Sequence, residues 1–381
     1  MRIIVDMQPA ARAHHSGVGV YTAYLVDRLA KNNPDKLEIV GHYYNFLGRQ
    51  YISPLPQAGN IRYKVSRLFP EKGMNLIHRF KLNIPFEFLA KSRGDLYLFP
   101  NFVAPPSILR TPAVNVIHDL SFVHYGQFTQ HRNLPYMLRY VPKSIKRAKH
   151  VIAVSESTKR QIVDHYKTNP DKISVVSPAI DHRLFYPRSD NKVAQVRRKY
   201  KLPPKYILYT GTLEPRKNVE GILRSYAALD TDLKKKYGLV LAGGKGWNDQ
   251  TILEIISQLR KAGENIVTTG YVPDENLPAI YSGADLFVYP SLYEGFGIPL
   301  LEAMACGVPV ISADNTSLPE VVGNAGLYVK AEDANGLTVL MKRVLTNSKL
   351  ADELRRKGLA QAKKFSWEKS AEELKAVLEK L

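Results

Sequence analysis

Residues 289–310 read YPSLYEGFGIPLLEAMACGVPV, and two carboxylates in this run, Glu294 and Glu302, stand eight positions apart around a glycine-rich turn. Gly295 and Gly297 remove the Cβ atoms that would crowd a sharp entry into a helix, and Pro299 suits a first helical turn. A helix start of this kind has free N–H groups and the positive end of the helix dipole, which together make a site for phosphate. Carboxylates do not favourably face phosphate, so Glu294 on the loop and Glu302 inside the helix suit hydroxyl groups. For a pair of glutamates alone, two surface side chains beside a turn is an open alternative; the sequence around them weighs against it.

Residues 209–219, YTGTLEPRKNV, hold the second group. Gly211 permits a tight exit from a strand, and Arg216 and Lys217 place two cations where a loop enters a helix. A planar guanidinium fork beside a compact ammonium suits a pyrophosphate, although an isolated Arg-Lys pair is more often solvated surface. His118 ends the run NVIHDL, at the carboxyl end of a strand, where a side chain is expected to point toward a ligand rather than into the core. A structural histidine is the plainer alternative there. Residues 16–21, SGVGVY, open a helix, and the backbone at Gly17 and Gly19 can approach an anion closely. Ser155 reads as a helix N-cap.

Other segments imitate chemistry without its spacing. Asp230 and Asp232 form a D-x-D in a polar stretch that reads as surface turn, and residues 243–246, GGKG, lack the spacing and hydroxyl residue of a phosphate-binding P-loop. The ten histidines show no metal-ligand spacing, and Cys306 reads as packed in a helix.

Strands and helices must position these groups. Apolar or β-branched runs at 2–6, 37–43, 95–99, 113–118, 150–154 and 173–176 alternate with helix-period stretches such as 18–31, 134–147 and 156–166. The rhythm repeats at 206–210, 239–242, 266–269, 286–289 and 309–312. Alternation of this kind predicts parallel sheets covered on both faces. A break falls near 178–190, rich in Pro, Asp and Asn. Two doubly wound domains follow, with ligands at the carboxyl ends of strands.

The chain has 381 residues, 45% hydrophobic and 23% charged, and one cysteine, which fits a soluble protein of a reducing compartment. No run approaches the roughly 20 apolar residues of a membrane span, and the N-terminus does not read as a signal peptide. The net charge of +19 is uneven, with 26 Lys and Arg against 12 Asp and Glu in residues 1–187, and 28 against 23 in 188–381. Residues 62–93 interleave eight basic side chains with five aromatics, among them Phe80, Phe86 and Phe88. Arg139, Lys143, Lys146 and Arg147 share one helical face beside Lys149. The excess points to an anionic partner for the first half. A membrane surface fits, since basic residues with interleaved aromatics lie well in a lipid interface. A solvated basic surface is the alternative. No nucleic-acid-binding module or basic-aromatic repeat is present.

The segment from Glu294 to Glu302 resembles the E-x7-E signature of retaining GT-B glycosyltransferases of the large family 4 group, and the likeness extends in order along essentially the whole chain. It implies an α/β, GT-B architecture, two Rossmann-like doubly wound domains facing a central cleft. Residues 1–185 would bind acceptor, 186–365 the nucleotide-sugar, and 366–381 would form a helix crossing back to the first domain. No metal and no cofactor beyond the nucleotide-sugar substrate is implied. In the family the first glutamate contacts the donor sugar and the second the ribose, which maps to Glu294 and Glu302. The diphosphate role falls on Arg216 and Lys217, in a loop with Gly211 and Thr212; many relatives carry Arg where this chain has Thr212. His118 would lie by the donor sugar, hydrogen bonding to it or stabilising the reacting centre. Gly17, Gly19, Gly295, Phe296, Gly297 and Ile298 would meet the donor, and the turn at Val272 the nucleobase edge through backbone groups. Front-face attack with retention is implied, the leaving diphosphate neutralised by Arg216, Lys217 and the helix start at Gly295 and Gly297.

The runs HDLSF and GTLEPRKN look most like mannosyltransferases using GDP-mannose, with a UDP-sugar donor open. The acceptor is then a glycan or a lipid-linked one, and the setting the cytoplasm, peripheral on the inner face of the cell membrane. An epimerase or phosphorylase of the same fold, or a non-catalytic relative, is the rival reading.

Overall fold

The computed structural model describes residues 1–12, 17–48, 52–67, 85–105, 107, 111–128, 133–246 and 249–381. The chain forms two compact units. One comprises Met1–His124, His131–Ala179 and Trp367–Leu381, and the other Tyr125–Gln130 and Ile180–Ser366.

The first unit is built on a sheet of β1 (Arg2–Asp6), β2 (Glu38–Tyr44), β3 (Ile61–Ser66), β4 (Leu96–Phe99), β5 (Ala113–Ile117), β6 (His150–Ala153) and β7 (Ile173–Val175). All pairings are parallel, in the order β3-β2-β1-β4-β5-β6-β7. The second holds β8 (Tyr206–Thr210), β9 (Gly238–Ala242), β10 (Ile266–Gly270), β11 (Leu286–Tyr289), β12 (Val310–Ala313) and β13 (Leu327–Val329), parallel in the order β10-β9-β8-β11-β12-β13. Every residue of β8, β9, β11 and β12 is buried, which is why these strands read as continuous apolar runs instead of alternating.

Sequence periodicity missed two strands. β3 alternates exposed and half-buried residues, and β13 has only three residues; both lie at sheet edges, where burial is weakest. Asp230 and Asp232 are not in a plain turn. Asp230 precedes the short helix Thr231–Lys236 and pairs with Lys342 at 2.6 Å. Ser155 caps the helix Glu156–Tyr166, accepting from the Thr158 amide at 3.0 Å. The GGKG run serves close packing, since a Cβ on Gly243 would collide with the Gly211 carbonyl. Of the basic segment 62–93, residues 68–84 lie outside those described.

The last helix, Trp367–Leu378, belongs to the first unit and packs on the helix Gly17–Lys31. Trp367 is buried, stacked on Tyr24 at 5.3 Å and edge-on to Tyr21 at 5.9 Å. Ser370 donates to the Ser177 carbonyl at 2.7 Å, and Arg28 pairs with Glu368 at 2.8 Å. The apolar contact excludes water, and the polar contacts fix the angle at which the helix lies.

Candidate active site

Strand order explains where chemistry collects in the second unit. β8 and β11 are neighbours, and the chain leaves them toward opposite halves of the sheet, so the loops at their carboxyl ends diverge around a crevice. The loop after β8 holds Arg216 and Lys217, and the loop after β11 holds Glu294. Asn218, in a left-handed conformation (φ 55°), caps the helix Val219–Ala227 by accepting from the Gly221 amide at 3.1 Å. Its amide also donates to the Pro290 carbonyl at 3.2 Å, which ties one loop to the other.

Glu294 is buried and heavily hydrogen bonded. Its Oε1 accepts from Lys217 Nζ at 2.5 Å, Ser291 Oγ at 2.7 Å and Tyr289 Oη at 2.9 Å, and its Oε2 lies 3.4 Å from the Arg216 guanidinium. Burial alone would raise this carboxyl, but Lys217 and Arg216, with the bonds from Lys217 and Ser291, outweigh it and hold the group at about 2. Lys217 also donates to Tyr289 Oη at 3.0 Å. Arg216 is committed to the protein, with one arm on the Tyr293 carbonyl at 2.6 Å and another on Glu214 at 2.7 Å. Glu214 is itself buried, which raises its carboxyl against the pull of Arg216. Arg216 therefore clamps the loop that carries Glu294.

Beyond Glu294 the chain turns through Gly295, Phe296 and Gly297 into the helix Ile298–Ala305. Gly297 adopts φ 120°, and a Cβ there would press on the Leu318 side chain at 2.8 Å, so both conformation and space require glycine. Ser317 shares its one hydroxyl proton between the carbonyls of Glu294 and Phe296 at 3.0 and 2.9 Å, which anchors the loop just before the helix. The Phe296 ring packs edge-on against Phe365 at 5.8 Å, so only its backbone is available to a ligand. Val272 is likewise buried.

Glu302 differs from its partner. Though partly exposed, its carboxyl is surrounded by protein, and burial raises it to about 7, opposed by a hydrogen bond from Tyr281 Oη at 2.7 Å and reinforced by Asp274. Thr212 contributes its carbonyl to Tyr209 Oη at 2.9 Å, beside Gly211.

In the first unit, His118 follows β5 and is buried deeper than a strand-end position suggests. Phe102 and Tyr21 flank the ring, the latter edge-on at 5.2 Å, and Nε2 lies 2.8 Å from the Pro100 carbonyl. A carbonyl only accepts, so Nε2 carries the proton and Nδ1 of the neutral ring is an acceptor. Burial lowers the His118 pKa, partly offset by the Pro100 bond and by Asp119, which favours that neutral form. Gly17 is the exposed first residue of the helix Gly17–Lys31 and Gly19 is buried within it. Ser16 lies outside the described residues. Among the described residues no three His, Cys, Asp or Glu side chains are grouped to hold a metal ion, and no helix is long and apolar enough to cross a membrane.

The structure thus assembles Glu294, Lys217 and Arg216 in one network and places Glu302 on the adjoining helix, while His118, Gly17 and Gly19 belong to the other unit. Sequence reasoning missed Tyr289, Ser291, Glu214 and Tyr281. The first two lie inside the same motif and were legible as polar atoms beside Glu294; nothing local to Tyr281 marks it.

Two parallel α/β units, one with a buried Lys–Glu pair where its strand order reverses, define the GT-B class of glycosyltransferase. Residues 192–361 match the model of glycosyl transferases group 1, and residues 15–184 that of glycosyltransferase family 4. The chain is 35% identical, over 97% of its own length and 97% of the other's, to the O-antigen chain mannosyltransferase B of Escherichia coli. In fold it resembles WaaG, a glycosyltransferase involved in lipopolysaccharide biosynthesis, with a TM-score of 0.75 at 16% identity over 98% of each chain. It also resembles Anabaena Alr3699/HepE in complex with UDP and glucose, with a TM-score of 0.72 at 17% identity over the whole of both chains. The chain belongs to glycosyltransferase family 4, within the group 1 glycosyl transferases, and is a hexosyltransferase of GT-B fold.

Proposed function

We propose that this protein is a retaining mannosyltransferase that takes mannose from GDP-mannose and adds it to a glycan or lipid-linked acceptor in the assembly of a bacterial surface polysaccharide. The mannosyl reading leans on the O-antigen mannosyltransferase, similar over nearly the full length. The observation that carries the donor site is the buried Lys217–Glu294 pair beside the helix start at Gly297. Lys217 and that helix N-terminus meet the diphosphate, Glu294 takes sugar hydroxyls, and Glu302 takes the ribose. Arg216 holds the Glu294 loop. His118, neutral, accepts a hydrogen bond at Nδ1 from a donor-sugar hydroxyl.

In the reaction the bond from the anomeric carbon to the diphosphate oxygen breaks, and its electron pair leaves with the diphosphate. The acceptor hydroxyl bonds to the same carbon from the same face and gives its proton to the departing phosphate oxygen. Preorganised charge at the leaving group lowers this barrier without a metal ion. The first unit takes the acceptor. Its exposed Phe88, with Lys91 and Arg93 exposed nearby in sequence and exposed Lys64 bonded to the Lys91 carbonyl, supports docking on an anionic membrane.

Purified protein assayed against GDP- and UDP-sugars, with and without EDTA, tests the reading. Turnover of GDP-mannose that survives EDTA and disappears in Glu294→Ala supports it; exclusive turnover of a UDP-sugar replaces the donor, and EDTA-sensitive turnover overturns the metal-free route. Vesicles with and without acidic lipid, at low salt, test the docking surface.

A further inference from the structure

The two glutamates of the site are satisfied to different degrees. Glu294 receives three hydrogen bonds on Oε1 alone, whereas Glu302 receives one, from Tyr281 to Oε2, and no described residue bonds its Oε1. A carboxylate surrounded by protein with half its acceptor capacity unused is poised for donors that arrive with a ligand.

What holds Glu302 is a chain of hydroxyls. Tyr281, fully buried on the short helix Leu277–Ser282, places its Oη 2.7 Å from Glu302 Oε2 and 2.5 Å from Thr210 Oγ1. The Tyr281 proton goes to the carboxylate, so Thr210 donates to Tyr281. Thr210 is the last residue of β8, immediately before the loop that ends in Lys217. The Tyr281 ring cannot swing away, for it packs edge-on against Phe287 at 5.5 Å and Phe185 at 6.3 Å. The relay thus ties one oxygen of Glu302 to the strand that leads into the Lys217 loop and leaves the other without a bond from any described residue.

Resting on the nucleotide-sugar reading above, we propose that Tyr281, braced by Thr210, is the positioning residue for nucleoside recognition: it holds Glu302 so that Oε1 accepts from the ribose diol. Tyr281 touches no substrate atom. It makes the site selective for a nucleotide with both ribose hydroxyls, because only these fill the open acceptor.

The test is a cycle between protein and ligand, measured by calorimetry with GDP and 2′,3′-dideoxy-GDP, and repeated with the matching uridine pair. Wild type should bind the dideoxy compound at least about tenfold more weakly than GDP, the loss of a hydrogen bond to a charged group. Tyr281→Phe should weaken GDP binding about tenfold, leave the dideoxy compound within about twofold of wild type, and leave kcat at saturating donor unchanged. Thr210→Val should move the same way by less, and Thr210→Ser should restore wild-type binding, which guards against a simple folding defect. Equal weakening of both ligands by Tyr281→Phe would assign Tyr281 a packing role and overturn the inference, as would unchanged GDP binding. Wild type that binds GDP or UDP but ignores loss of the diol also overturns it while leaving the donor reading intact. Wild type that binds neither nucleotide overturns both.

Discussion

Lys217 and Glu294 are 77 positions apart in the chain and 2.5 Å apart in the fold, an ion pair largely shielded from solvent, with Arg216 3.4 Å from the other oxygen of the carboxylate. With Arg216 bound to Glu214, each of the two cations has its own carboxylate, so the loop after β8 presents little net charge until a ligand takes one partner away. On the donor reading proposed above, a donor diphosphate would compete for Lys217 as sugar hydroxyls take over Glu294. Binding then exchanges partners without ever stranding a buried charge.

Breaking the pair from either side should therefore cost both stability and activity. Glu294→Ala leaves Lys217 with no carboxylate and should lower stability by about 3–5 kcal/mol, read by denaturant unfolding, while Lys217→Ala leaves Glu294 only the longer Arg216 contact and should cost less. Lys217→Met with Glu294→Gln should recover much of that stability. Neither single variant nor the double should keep more than about one hundredth of wild-type kcat, the scale of losing a charge-stabilising group.

The two glutamates should titrate in opposite senses. Glu294 sits at about 2 in the fold, below the roughly 4.3 of an unfolded glutamate. It therefore contributes about 3 kcal/mol of stability above pH 4.3, lost as pH falls toward 2. Glutamine at 294 should flatten that part of the acid unfolding curve.

Glu302, raised to about 7, holds its proton in the fold where the unfolded chain has released it, so its burial costs stability as pH rises from about 4.3 to 7. On the proposed ribose role, the ionised form is the one that would accept from both ribose hydroxyls. Nucleotide affinity should rise with pH through about 7 and level above it. The rise should vanish in Glu302→Gln. Burial sets this midpoint first, with Tyr281 lowering it and Asp274 raising it, while Cys306, one turn on, is itself raised by burial and then by Glu302.

His118 should be sensitive to a residue it does not touch. Tyr21 lies edge-on to both His118 and Trp367, so the last helix braces the ring through one intermediary. Trp367→Ala should cost about 3–5 kcal/mol through the cavity it leaves. Below its lowered melting temperature it should still reduce kcat more than it changes donor Kd. His118→Ala, which removes a buried ring and its bond to the Pro100 carbonyl, should cost roughly 1–3 kcal/mol of stability, and on the proposed role it should also lower kcat with no compensating gain from low pH, because the native imidazole is neutral.

Gly297→Ala should be out of proportion to its size. A side chain at φ 120° is strained by about 1–3 kcal/mol, and the added methyl meets Leu318. Moving the helix start shifts its N–H groups, so the affinity for nucleoside diphosphate should fall more than that for the free nucleoside, measured side by side by calorimetry.

Strands β8 and β11 and the helices 134–147 and 156–166 were legible to within a residue because long apolar or amphipathic runs leave little choice of structure. β3 and β13 were not, being edges whose residues are only partly buried. At the site, the types of Glu294, Glu302, Arg216 and Lys217 and the glycines that turn the chain were enough to propose sugar, ribose and diphosphate. His118 was legible as a residue but not as a buried ring, since strand-end position says nothing about what folds over it.

The sequence by itself determined which groups are present and that they follow strands, which is what led to the proposal of phosphate and hydroxyl partners; these are local facts of spacing and turn geometry. The tertiary structure alone decided their partnerships. It made Arg216 a clamp instead of a free cation, paired Lys217 with Glu294, and set Tyr281 and Thr210 behind Glu302. Partnership depends on which strands lie side by side, and the adjacency of β8 and β11 arises from the packing of the whole sheet, which no local stretch of sequence encodes.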